Sequence, residues 1–144
     1  MRHFTLGFIF SKGLNNVWLI QKTQPGYLEG KINGVGGKLK EHESFLECME
    51  REAWEEARYQ GHWHQFAYIN HYIPEPKTGI CCYYSIIADP CRTPKQNASD
   101  EGIVMPYSVA DLHKYAHVML PHTSVLVMGA LSHMREPLHL EISY

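Results

Sequence analysis

Residues 44 to 58, SFLECMEREAWEEAR, read as a helix with two unlike faces. Ser44 suits an N-cap, with Glu47 three residues on as its capping-box partner, and the residues that follow are good helix formers. At ~100° per residue, Phe45, Leu46, Met49, Ala53 and Ala57 share one arc of about 120°, a stripe that needs a core to cover it. Glu52, Glu55 and Glu56 stand at i, i+3 and i+4 and share another face, with Glu56 at the border of the apolar stripe. Two carboxylates about 4 Å apart repel by roughly 1 kcal/mol in water and ~4 kcal/mol at the effective dielectric of a protein surface. Such crowding calls for a cation. Arg51 and Arg58 could balance a solvated acidic face, and a hard divalent ion held by carboxylates together with substrate phosphates could do so as well. A loop with Gly34, Gly36 and Gly37 precedes the helix, where bare backbone can approach a ligand closely.

The rest of the chain supplies what the apolar stripe must pack on. Residues 3–11 and 16–22 are strand-like runs joined by Lys12-Gly13-Leu14-Asn15, a hairpin connector. A loop covers 23–40. Segments 62–73 and 79–88 are rich in aromatic and β-branched residues and read as two more strands, separated by Pro74-Glu75-Pro76-Lys77. A short strand is expected over 101–105, and a brief capped helix after Ser108. A second long helix starts near Thr123 and stops before Pro137, and LHLEISY forms a last strand. Strands and helices do not alternate regularly, so the fold class is α+β with a mixed sheet. At 144 residues and 44% hydrophobic content, a single domain over 1–144 is expected.

A net charge of -2 leaves no basic field for polymeric nucleic acid or an anionic membrane. Cys48, Cys81, Cys82 and Cys91 form no C-x-x-C pair and read as reduced thiols of a cytoplasmic protein. The opening MRHFTLGFIF is too short and too interrupted for a cleaved signal or a membrane span.

Gly37, Glu43, Arg51, Glu52, Glu55 and Glu56 fall in register with a known motif: Gly, five residues, Glu, seven residues, Arg-Glu, two residues, Glu-Glu. The stretch from Gly37 to Tyr59 thus resembles the Nudix box, with three departures, Ala53 where a larger branched residue is usual, Arg58 where a Gly usually follows and Tyr59 in the aliphatic place. Without that Gly, the helix is expected to run on to about Gln60 and stop at Gly61.

The resemblance implies a mixed sheet sandwiched between helices (α/β/α) and a hydrolase that uses Mg²⁺, with Mn²⁺ as a substitute, to cleave a nucleoside diphosphate derivative. It implies metal ligation by the Gly37 carbonyl, Glu52 and Glu56, with Glu55 direct or through water. Arg51 would orient, held by Glu43, and Glu101 would be an extra ligand or the general base, with Glu52 and Glu55 as rival bases. Asn33, Gly36 and Lys38 would meet the substrate. Similarity to VWLIQKTQPGYLEGKINGVGGK and SDEGIV points to the MutT-like branch that converts oxidised purine nucleoside triphosphates, such as 8-oxo-dGTP, to monophosphate and pyrophosphate. That branch carries an acidic pair after a Pro near the last helix, whereas here Pro121 is followed by His122 and Thr123. An ADP-ribose or dinucleotide pyrophosphatase, and a non-catalytic nucleotide-binding module, remain the alternatives. A small nucleotide is the expected partner, and a homodimer stays open. Tyr27, Trp63, Tyr72 and Tyr84 are candidates to stack on a base, against ordinary packing roles.

Overall fold

Two strands begin the chain, β1 (Arg2–Phe10) and β2 (Asn16–Lys22), and their alternation decides the layering. Phe8, Phe10, Val17 and Leu19 join one apolar cluster, while Ile9, Trp18 and Ile20 join another on the opposite face. Strands buried on both sides read as near-continuous apolar runs, and these two do. The computed structural model describes residues 1–72, 76–136 and 140–144.

Helix α1 (Phe45–Ala57) covers the face of Ile9 and Ile20 with Met49, Ala53 and Ala57. Helix α2 (Thr123–Arg135) covers the other with Leu126, Val127 and Ala130. The sheet between them also holds β3 (Ile32–Asn33), β4 (His64–His71), β5 (Thr78–Ile86), β6 (Gly102–Ser108) and β7 (Leu140–Ser143). Its order is β3-β2-β1-β5-β4-β7, with β6 paired to β2. The α+β class and the α/β/α layering are therefore as expected. β3 lies in what the sequence reads as loop, because two residues show no periodicity. Expectations that fall on Ile73, Pro74, Glu75, Pro137, Leu138 and His139 lie outside the described residues.

One topological detail creates the site. β1 pairs in parallel with β5 along its whole length, but with β2 only at Ile9↔Trp18 and Phe10↔Val17. Beyond that point β1 and β2 diverge, and β2 pairs instead with β3 at Ile20↔Asn33 and Gln21↔Ile32. The chain after β3 crosses the opening to β1, bridging Gly7↔Val35 and Phe4↔Lys38. The glycine-rich segment thus lies in a wedge within the sheet.

α1 ends differently from the sequence expectation. It stops at Ala57, and Arg58 takes the left-handed conformation (φ 49°) that a Gly usually supplies. Arg58 N–H reaches the Trp54 carbonyl at 2.9 Å, the bond of an αL cap, and Tyr59 N–H reaches the Ala53 carbonyl at 3.2 Å. The Tyr59 ring then buries in the cluster under α1 and its hydroxyl shares a 2.6 Å hydrogen bond with Ser85 Oγ. Packing of Tyr59 enforces the stop, and the backbone bears the strain. Left-handed geometry costs a non-Gly residue about 1–2 kcal/mol, offset in part by the Arg58 guanidinium over the Trp54 ring. Arg58→Gly is expected to raise unfolding free energy by about 0.5–1 kcal/mol in urea denaturation; a loss of stability would show that the stacked guanidinium outweighs the strain.

Candidate metal and hydrolase centre

The capping box forms: Ser44 Oγ accepts from Glu47 N–H and Glu47 Oε1 from Ser44 N–H, each at 3.1 Å. It fixes where α1 begins, and the core contacts of Met49, Ala53 and Ala57 fix its roll. In that roll Glu52 and Glu56 face the sheet and are buried, while Leu46, expected in the stripe, is exposed. Cys48 takes a buried place instead. Glu55 lies 49% exposed, its Oε2 3.2 Å from Arg51 Nη1.

Glu56 has its carboxylate in the wedge, at 1% exposure. Its Oε1 accepts the Gly36 N–H at 2.8 Å, and its Oε2 lies 3.4 Å from Lys22 Nζ. Burial pushes its pKa up to about 7, against the opposing pull of Lys22 and Gly36, with Glu52 and Glu101 adding upward repulsion. The Glu52 pKa is also raised by burial, against the Arg51 guanidinium.

Strand alternation decides what the glycines offer. Val35 N–H and C=O both bond to Gly7 on β1, and the Gly37 carbonyl accepts Thr5 N–H at 2.9 Å. The Gly37 carbonyl, expected as a metal ligand, is thus committed to the ladder. Gly36 between them turns its polar groups away from β1, and among the described residues no donor reaches its carbonyl. Gly36 has φ 149°, and a Cβ there would collide with the Thr5 carbonyl, so only Gly fits. A Cβ on Gly37 would collide with the Glu52 carboxylate, which packs against the loop.

Arg51 ties loop to helix as expected. Its Nε and Nη2 donate to the two Glu43 oxygens at 2.7 and 3.0 Å, its Nη1 to Glu52 Oε1 at 2.9 Å, and its Nη2 to the Lys38 carbonyl at 3.2 Å. This fork holds the Glu43 pKa down at about 2. Lys38 contributes its backbone here, and its side chain is exposed.

Glu101 reaches the same point from a distant part of the chain. β2 pairs with β6 from Asn16↔Ser108 to Lys22↔Gly102, so the turn before β6 ends beside Lys22. Thr23 N–H to the Glu101 carbonyl (3.1 Å) and Gln24 Nε2 to the Asp100 carbonyl (2.6 Å) pin that turn. Carboxylate oxygens of Glu52, Glu56 and Glu101 lie within 4.8 Å of one another. Among the described residues this is the group suited to a metal ion, and its histidines form none. Three hard oxygen donors, two of them buried with their charged forms disfavoured, fit a divalent cation such as Mg²⁺.

Asn33 stands near this wedge on β3, with its Oδ1 taken by Gly34 N–H (2.8 Å) and Thr123 Oγ1 (3.0 Å). Of the amide's two functions, only the donor side is left for a ligand. Tyr84 is buried, Trp63 packs edge-on against Tyr59 and Tyr72 is exposed beside Lys77. Tyr27 is 91% exposed and borders a cleft of about 290 Å³ whose wall includes Lys22, Gln24 and Glu101. Lys22 is a site residue that the sequence reading passed over; its signal was a lone lysine closing an apolar strand.

A family model described as NUDIX domain matches residues 1–123. Among solved structures the chain resembles the MutT protein from Bacillus halodurans (16% identity, TM-score 0.73, covering 100% of this chain and 90% of that one). It also resembles the NUDIX domain of Shewanella oneidensis NrtR complexed with ADP ribose (14%, 0.75, 92% and 87%). A NUDIX-family hydrolase from Clostridium perfringens is similar too (20%, 0.67, 92% and 97%). No curated protein matches the sequence.

The Glu56 shift sets a sign for stability without metal. A carboxyl at about 7 when folded and near 4.5 when unfolded holds its proton longer in the native state, so its contribution is full below pH 4.5 and is lost as pH rises through 7. The loss amounts to about 3 kcal/mol. His122, whose pKa burial lowers, acts in the opposite direction, so the comparison must be with a variant. Burial of Glu52 acts in the same direction as that of Glu56, so in EDTA Glu56→Gln is expected to show a shallower decline than the wild type between pH 5 and 8 and to exceed it in urea midpoint at pH 8. Parallel pH profiles for the two proteins would refute the assignment.

Proposed function

This chain belongs to the Nudix family, and on that premise we propose that it is a divalent-metal-dependent pyrophosphohydrolase of a nucleoside triphosphate. The observation that carries the proposal is the convergence of Glu52, Glu56 and Glu101, from one helix and a distant turn, within 4.8 Å. Glu52 and Glu56 would hold the ion, with the Gly36 carbonyl as the backbone ligand in place of Gly37. When bound, a divalent ion offsets charge on phosphate oxygens and lowers the pKa of water. Glu101, the more exposed of the three, accepts the proton of the attacking water. Glu55 stands apart at Arg51 and serves the helix face rather than the reaction. Arg51 keeps Glu52 aimed by fixing the loop to α1 through Glu43.

The substrate's nucleoside end has two candidate contacts. The exposed Tyr27 ring at the cleft beside Glu101 offers a face for stacking. The Asn33 Nδ2 offers a donor, which suits an acceptor on a base edge. With Pro121 followed by His122 and Thr123, the acidic pair of the oxidised-purine branch is absent, so 8-oxo-dGTP is one substrate to test among several. ADP-ribose is the second reading, prompted by the ADP ribose bound to the similar Shewanella oneidensis domain.

A panel of nucleoside triphosphates, 8-oxo-dGTP and ADP-ribose with Mg²⁺ or Mn²⁺ tests both readings. A triphosphate cut to the monophosphate releases pyrophosphate, whereas ADP-ribose gives two monophosphates. Activity is expected to vanish in EDTA, and Glu101→Gln is expected to lower kcat by ~10²–10⁴-fold. Metal-independent turnover, or a Glu101→Gln enzyme as fast as the wild type, would contradict the assignment.

A further inference from the structure

Lys22 does not stand beside the acidic group as a surface partner; its ammonium is inserted into it. Nζ lies 3.4 Å from Glu56 Oε2 on α1 and 3.9 Å from Glu101 Oε2 on the turn before β6. These are two of the three carboxylates whose oxygens converge within 4.8 Å. The third, Glu52, is already engaged by Arg51 at 2.9 Å. Lys22 is thus the cation that joins Glu56 to Glu101, and its charge keeps the buried Glu56 compatible with the fold.

A divalent ion held by these carboxylates would compete with the ammonium for the same groups, and an ammonium within contact distance of them repels it. Both cannot occupy the position at once. The Lys22 backbone cannot yield: its N–H bonds to the Lys31 carbonyl at 2.9 Å, its carbonyl takes Gly30 N–H at 2.8 Å, and its Cα is in register with Gly102. The side chain can. It has a flexible four-carbon stem and borders the open cleft of about 290 Å³ lined by Gln24, Tyr27 and Leu28.

We propose that Lys22 is a resident counterion of the metal centre, which a divalent ion must displace into the neighbouring cleft in order to bind. The exchange stabilises the metal-free protein and weakens metal binding, so this side chain sets the metal concentration at which the centre fills. It also leaves a positive charge free in the cleft once the ion is bound, so an anionic ligand there meets an unpaired ammonium only in the metal-loaded protein. The inference rests on the reading of Glu52, Glu56 and Glu101 as metal ligands.

Calorimetric titration with Mn²⁺ alone, without nucleotide, separates the two ideas. Lys22→Met is expected to bind Mn²⁺ about tenfold tighter or more than the wild type, while Lys22→Arg, which keeps the charge, stays near the wild type. Binding by Lys22→Met that is equal to or weaker than that of the wild type would overturn the exchange and leave the metal centre standing. Failure of both proteins to bind Mn²⁺ would overturn the metal centre and the exchange with it. A second readout needs no variant of altered affinity. The Lys22 ¹³Cε signal, assigned by its loss in Lys22→Arg, is expected to shift on saturation with Mg²⁺; a signal that stays in place under saturating Mg²⁺ would also overturn the exchange.

Discussion

A carboxylate buried by helix packing governs the rest of this molecule. Glu56 is carried to the sheet by the same roll of α1 that buries Met49, Ala53 and Ala57, so the core forms with an ionisable carboxyl group in the wedge. Burying a charge is unfavourable unless it is paired and hydrogen-bonded. The fold supplies both, from the Gly36 N–H and the Lys22 ammonium. Position 36 admits only glycine, because a Cβ there would meet the Thr5 carbonyl, and the cation is the lysine that ends β2.

The divergence of β1 and β2 is what makes these contacts available. Were the two strands paired along their length, ladder bonds would consume the backbone groups of both edges. Instead β3 and the segment after it fill the opening, and the alternation of an extended chain sends the polar groups of Val35 and Gly37 to β1 and those of Gly36 to Glu56. For the same reason the Gly37 carbonyl accepts Thr5 N–H, while among the described residues no donor reaches that of Gly36. On the helix side, Arg51 holds Glu43 and Glu52 together, leaving Glu55 at the outer end of the fork. Two acids adjacent in sequence thus have different fates, one at the centre of the site and the other near its rim.

Much of this was legible before folding. The Ser44 and Glu47 pair signals the start of α1, the spacing of Glu52 and Glu56 puts them on a shared side, and the order of acids marks the family. Other features depart from what local sequence implies. Leu46 fits the apolar arc by angle yet is exposed, because periodicity tells which residues face together but not where the centre of that arc points. α1 ends at Ala57, short of the expected Gln60, because burial of Tyr59 in the core imposes a left-handed bend for which Arg58 has no intrinsic preference. The Asn33 amide could have offered either function, until Thr123, ninety positions away, took its oxygen.

Local chemistry therefore decided the pieces: an N-capped amphipathic helix, apolar strands and a loop in which only glycine could lie against bare backbone. These follow from sequence because capping, periodicity and steric freedom act over a few residues. Tertiary structure alone decided which acids meet, which carbonyl is free and which cation answers them. Lys22, Glu56 and Glu101 come together through the register of β2 with β6 and the roll of α1, and both are set by side-chain packing between distant parts of the chain.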